Sequence, residues 1–270
     1  MWNKLGKLWL WAALAIIISA CLFPIFWMVV SSFKRQAQNI AYPPVFIFKP
    51  TLKNYQTIFH ELDYGRYMLN SAIVAIGTVL LSLSIGLPSA YSIVRFGQRK
   101  VALFILLGRI MPGVSVLVPW FILFSRLGLI DTYIGLILAH MVQIFPLVVW
   151  LMIGFFEEIP RSVQDQALID GCSTYSVFYR IVLPLSRPGI AAASILAFIL
   201  SWNHFMFSLA FAQHRTMTLP VAAYRFIGYG IIDWGGLTAA ATVITLPVII
   251  LGLLIQRWIV RGLTFGALKG

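Results

Sequence analysis

Six apolar stretches, each long enough to cross a lipid bilayer, decide what this chain can fold into. They cover about residues 8–32, 67–94, 101–124, 132–155, 189–212 and 235–260. About 20 helical residues span the hydrocarbon of a bilayer. Backbone inside it must satisfy its own hydrogen bonds, which a helix does. The expected fold is an all-α membrane protein: a six-helix transmembrane bundle forming a single domain over residues 1–270. Composition agrees, because 60% hydrophobic and 10% charged residues are the proportions of a membrane protein.

The first stretch has a signal peptide as its alternative, since Lys4 and Lys7 precede it and Ile18-Ser19-Ala20-Cys21 looks like a lipoprotein cleavage site. The apolar run continues past that point through Val30, longer than a signal core, so it is read as a retained span. A net charge of +12 would suggest nucleic acid in a soluble protein. Here the basic residues stand singly at the ends of apolar runs, as topology signals and lipid anchors. Cys21 and Cys172 are too few for a disulfide framework and read as free thiols.

Six spans place both termini and the loop 156–188 on one side. That side carries Lys4, Lys7, Arg95, Arg99, Lys100, Arg161, Arg180, Arg187, Arg257, Arg261 and Lys269. The other carries Lys34, Arg35, Lys49, Lys53, Arg66, Arg126, Arg215 and Arg225. The excess predicts that the termini and that loop are cytoplasmic. On the outer side, a short surface helix is expected from about Leu52 to His60, and an amphipathic piece over 221–227 either docks a partner or lies in the membrane interface. Prolines 88, 112, 119, 146 and 247 fall inside spans. They suit a bundle that opens and closes, or they are the ordinary prolines of membrane helices.

The chemistry that would make this chain an enzyme is not in its sequence. There is no phosphate-binding G-x-x-x-x-G-K-[ST] loop, no Cys/His cluster with metal-ligand spacing and no nucleophile elbow. His60, His140, His204 and His214 are far apart. Ion-coupled carriers keep acids within their spans as relays, whereas all eight acids here lie in loops or at span edges. The sequence therefore favours an external motor. A carrier driven by an ion gradient and a non-transporting scaffold are the alternatives.

The longest polar interruption of the second half, 156–188, has its own helical pattern. Ile159, Val163 and Ala167 recur every four residues, as do Val177, Ile181 and Leu185. Between the runs stands Gly171, suited to a left-handed cap. Ser162 with Asp165 reads as a capping box for the first helix, and Ser173 or Thr174 as the cap of the second. Two short helices joined by a sharp turn are expected, a handle for another protein.

This handle resembles the signature loop of permease subunits of binding-protein-dependent ABC importers, commonly written E-A-A, three residues, G, nine residues, I-x-L-P. It stands here as Asp165-Gln166-Ala167-Leu168-Ile169-Asp170-Gly171 and Ile181-Val182-Leu183-Pro184. Asp165 replaces the usual glutamate and Gln166 the usual alanine. The resemblance extends to the carbohydrate branch, the maltose-transporter type. It is carried by Ser31-Ser32-Phe33-Lys34, Pro50-Thr51-Leu52-Lys53-Asn54-Tyr55, Asn70-Ser71, Leu127-Gly128-Leu129, Ser201-Trp202-Asn203 and the tail Gly262-Leu263-Thr264-x-Gly266-Ala267-x-Lys269-Gly270.

That resemblance implies a division of labour. An extracytoplasmic solute-binding protein captures the sugar. A second homologous permease subunit completes the path, and two ATP-binding subunits hold the ATP and Mg²⁺, so this chain carries no cofactor. It implies coupling to an ATPase subunit through Val163, Asp165, Ala167, Asp170, Gly171, Leu183 and Pro184. Val163 and Ala167 would pack in a groove, Asp165 and Asp170 would bond basic groups there, and a side chain on Gly171 would block the turn or the close approach. The tail would reach between the ATPase subunits through Thr264, Gly266 and Lys269. Asn70, His140, Trp202, Asn203 and His204 are candidates for the translocation path. Their alternative is packing and hydrogen bonding between helices.

Overall fold

The computed structural model describes residues 4–110, 112–228 and 232–267, and within them the side chains of residues 6–254. Lys269 lies outside the described residues. Eleven helices carry the architecture: α1 (Lys4–Ser32), α2 (Tyr64–Phe96), α3 (Arg99–Ile110), α4 (Gly113–Arg126), α5 (Tyr133–Glu157), α6 (Arg161–Ile169), α7 (Thr174–Leu185), α8 (Arg187–Trp202), α9 (Met206–Phe211), α10 (Leu219–Tyr224) and α11 (Trp234–Ala267). Among the described residues, four helices are long and apolar enough to cross a membrane, or up to six spans if each of two bent pairs, α3 with α4 and α7 with α8, is one span.

Two expected spans differ from the sequence reading. The third is not one helix but α3 and α4, sharply inclined, with Pro112 as the N-cap of α4. The fifth stops at Trp202 and resumes at Met206. There Asn203 turns its side-chain amide back to the carbonyl of Ile199 at 2.9 Å, and the N–H of His204 bonds the carbonyl of Ser201. Short polar side chains that bond local backbone compete with helix continuation. Prolines 24, 88, 119, 146 and 247 are each carried inside a helix.

The chain divides into two compact units. One comprises residues 1–65 and 222–246. In it, two stretches distant in sequence meet. The Ser32 hydroxyl lies 2.7 Å from the Tyr55 hydroxyl, and the Asn54 amide donates to the carbonyls of Ser32 and Lys34. Gln36 donates to the Ile232 carbonyl and accepts from the N–H of Trp234. A Cβ on Gly235 would collide with the Asn54 side chain, which is why this approach needs glycine. Lys34 is buried with its ammonium 4.2 Å from the Trp27 ring centroid, and burial lowers its pKa. The expected surface helix forms as Lys53–Gln56 followed by a π-turn, Thr57–Glu61.

The other unit comprises residues 66–221 and 247–270. Helix α5 runs through its middle, packed by α3, α8 and α9. Two apolar clusters form its core. One gathers Val74, Phe124, Leu136, Ala139, Phe207 and Phe211. The other gathers Tyr91, Val148, Met152, Phe156, Val177, Phe178, Val182, Ala193 and Ala197. The second cluster holds the handle in place.

Candidate functional site

The handle is built as two helices on a glycine turn. Helix α6 ends with the N–H of Cys172 on the carbonyl of Ala167 at 2.9 Å and the N–H of Gly171 on that of Leu168 at 3.1 Å. This is a Schellman closure with Gly171 at φ 89°. Helix α7 is capped by Ser173, whose hydroxyl accepts from the N–H of Ser176. It passes through a π-turn, Phe178–Val182, before Leu183–Leu185. The Ser162–Asp165 capping box does not form. The helix starts at Arg161 after Pro160, so Ser162 already lies inside the first turn, and no side chain caps it. Asp165 instead takes the Arg95 guanidinium of α2 at 2.9 Å.

One face of the handle belongs to the chain's own core. Ala167, Val177, Phe178 and Val182 are buried in the cluster with Phe156 and Tyr91. The Tyr91 ring stacks on Phe178 at 5.0 Å, and its hydroxyl donates to the buried Gln164 at 3.4 Å. Ala167 therefore faces inward, not toward an outside groove, and Asp165 already shares its charge with Arg95. Leu183 is half-buried on the same core, and Pro184 is half-buried beside it.

The other face is free of that packing. Val163 (43% exposed), Ile169 (85%), Tyr175 (80%) and Tyr179 are exposed, as are Asp170 and Gly171, and the Tyr179 ring sits edge-on to Phe178. A Cβ on Gly171 would meet nothing within 4 Å. The glycine is required by its backbone conformation, not by crowding within the chain. Sequence reading missed Ile169, Tyr175 and Tyr179. The every-four pattern does not mark them, and its own members divide, with Ala167 and Val177 buried and Val163 and Leu185 exposed.

The anchor of this handle yields a modest expected effect. Ser173→Ala should lower stability by about 1 kcal/mol, the usual loss for a cap. Arg95→Ala should cost under about 1 kcal/mol, because Asp165 is half exposed and such pairs contribute little. Thermal unfolding in detergent of the two variants checks the order.

The path candidates are placed differently. Asn70 is buried, donating to the carbonyls of Met217 (2.9 Å) and Arg215 (3.2 Å) and accepting from the Tyr133 hydroxyl (2.7 Å). It stitches loop to helix, so its amide is committed. His140 is buried with its ring nitrogens 2.8 Å from the Ser201 hydroxyl and 3.0 Å from that of Ser208. It thereby ties α5 to α8 and α9. The His204 ring lies 4.5 Å from that of His140 and within 3.3 Å of the Gln143 side-chain oxygen. Trp202 is buried on Phe198, and Asn203 is exposed at the helix break. Arg109 donates to the Gln143 carbonyl at 3.2 Å. Thr264 and Gly266 lie on the backbone of α11, and their side chains are outside the described ones.

A second polar centre, unforeseen from sequence, is Asp131. Its carboxylate accepts from the N–H groups of Gln213, Arg215 and Thr216 and from the Thr216 hydroxyl, at 2.8–3.1 Å. Burial pushes its pKa up, but these four donors outweigh it and hold the carboxyl below its ordinary value. Asp131 itself sits at φ 56°, a conformation that Asp and Asn tolerate.

Residues 82–265, which include the whole handle, match the family described as binding-protein-dependent transport system inner membrane component. The chain belongs to that family. The trehalose/maltose transport system permease protein MalG of Thermococcus litoralis is 36% identical over 257 residues, 93% of this chain and 92% of that protein. The sulfoquinovosyl glycerol transport system permease protein SmoH of Agrobacterium fabrum is 34% identical over 270 residues, 98% of this chain and 95% of that one. Among solved structures, a chain of a bacterial ABC transporter involved in the import of the acidic polysaccharide alginate superposes with a TM-score of 0.80. It is 19% identical, with 95% of this chain and 98% of that chain covered. This chain is thus a multi-pass, non-enzymatic membrane subunit of an ABC importer with the permease fold.

Proposed function

We propose that this permease forms half of the translocation path of an ATP-driven importer for a carbohydrate, such as a disaccharide, an oligosaccharide or a polyol. The sugar class is supported by the names of the two relatives above. The termini and handle face the cytoplasm, as the excess of basic residues on that side indicates. A second homologous permease, two ATP-binding subunits and an extracytoplasmic solute-binding protein complete the machine. Thr264, Gly266 and Lys269 are the tail residues proposed to contact the ATPase pair.

One observation carries the coupling role. The handle is packed into the core through Ala167, Val177, Phe178 and Val182 and exposes Val163, Ile169, Tyr175 and Tyr179. An amphipathic helix pair of this kind suits a groove on a partner. Closure of the ATPase pair on ATP pushes the tip. Because Tyr91, Phe156 and Phe178 bind the handle to α2 and α5, the push reaches those helices as a rigid displacement, the basis of alternating access.

The test is reconstitution. The complex purified in mild detergent should contain an ATP-binding subunit. In liposomes it should take up sugar only with ATP inside and binding protein outside. Uptake by this chain alone, driven by an ion gradient, would contradict the proposal.

A further inference from the structure

We propose that the chain holds one anionic phospholipid in a cavity of about 520 Å³ at the handle end of the bundle, where α2 and α5 end and α3 and α6 begin. It is lined by Arg95, Arg99 and Arg161, with Glu157 the one carboxylate among the lining residues, and by the apolar Leu103, Trp150 and Ile153. The inference rests on the membrane-spanning character of the chain and not on coupling to an ATPase.

Three arginines face one lining carboxylate, Glu157. Arg95 already shares its charge with Asp165, but Arg99 and Arg161 are the first residues of α3 and α6, and neither helix has an acid in its first turn. A helix N-terminus is itself partly positive, so a guanidinium there is disfavoured until an anion joins it. Guanidinium groups match phosphate oxygens in pairs.

The apolar wall distinguishes a lipid from a soluble anion. Leu103 and Trp150, on α3 and α5, are 62% and 52% exposed. At 1.5 Å per residue, Leu103 lies about 6 Å along α3 from Arg99, and Trp150 about 10 Å along α5 from its end. Tryptophan is enriched where headgroup gives way to acyl chain. A phosphate ion would use only the arginines. A phospholipid uses both walls, and basic pockets between membrane helices are suited to such headgroups.

The test uses the purified intact complex, delipidated and titrated with dioleoylphosphatidylglycerol under native mass spectrometry. Wild type and Lys100→Gln, whose lysine does not line the cavity, should retain one such lipid with equal affinity. The Arg99→Gln/Arg161→Gln double variant should bind it at least tenfold more weakly, and dioleoylphosphatidylcholine should not be retained. A photocrosslinking side chain at position 103, in otherwise unchanged protein, should label the lipid even if the double variant fails to fold. Equal retention by the double variant would overturn the proposal. So would occupancy by inorganic phosphate that displaces the lipid, or labelling of an acidic polypeptide segment from position 103. Sugar uptake measured in parallel reports on the transport function separately.

Discussion

Gly171→Arg is expected to abolish sugar uptake while the chain still inserts into the membrane and remains folded. The residue sits at φ 89°, so any side chain there costs about 1–2 kcal/mol of backbone strain. That is small against the 5–15 kcal/mol typical of a folded domain. A Cβ there meets nothing within 4 Å, so alanine and arginine bear the same backbone strain and neither clashes at its Cβ. They differ only in what they present outward. Gly171→Ala should keep most uptake, whereas an arginine at the exposed tip, between Ile169 and Tyr175, should prevent a partner from seating. Uptake in reconstituted vesicles, normalised to inserted protein, checks the pair. Equal activity of the two variants would remove the tip from the coupling surface. Equal inactivity would mean that backbone strain, not contact, is what matters.

The second large effect is on stability. Asp131→Ala leaves three N–H groups and a hydroxyl without their acceptor. The Gln213 and Arg215 bonds are exposed and water can replace them, but Thr216 is fully buried. Its stranded donors set the loss at about 2–3 kcal/mol. Asp131→Asn keeps one oxygen and the left-handed backbone, so it should lose less. The pH dependence has a definite sign. The folded carboxyl titrates below its unfolded value of 3.8. Its stabilisation is therefore complete above that pH and is lost as pH falls through the lower, folded pKa. The gap between wild type and Asp131→Asn should be constant from neutral pH down to about pH 4 and close in stronger acid. Thermal unfolding in detergent across that range measures it.

Much of the membrane architecture was legible in the sequence because apolar length is a direct physical requirement of the bilayer. The Gly171 turn and the Ser173 cap were legible for a similar reason: each is a local rule satisfied within a few residues. What failed was decided either at a distance or by a local bond that hydropathy does not register. The capping box at Ser162 lost to Arg95, seventy residues upstream. The breaks at Pro112 and at Asn203 fall inside runs that stay apolar on average, and average hydropathy does not register a side-chain amide bonding back to Ile199. Asp131 looked like one loop acid among eight until the segment 213–216 closed over it.

The handle teaches the same lesson about faces. Ala167 and Ile169 are both apolar and two residues apart. One packs on Tyr91, Phe156 and Phe178, while the other is almost bare. Helical spacing marks an apolar stripe but does not say whether the chain itself or a partner covers it. Asn70 shows the converse. A polar side chain at the start of a span read as part of a path, yet its amide is fully occupied in joining Tyr133 to the 215–217 loop.

The most direct test of the account places photocrosslinking side chains at positions 169 and 175 in the intact membrane complex and illuminates with and without ATP. The account predicts adducts from both positions with an ATP-binding polypeptide, and an unreactive chain when the same probe replaces inward-facing Val177. Labelling of lipid alone from positions 169 and 175, with no polypeptide captured in either nucleotide state, would contradict it.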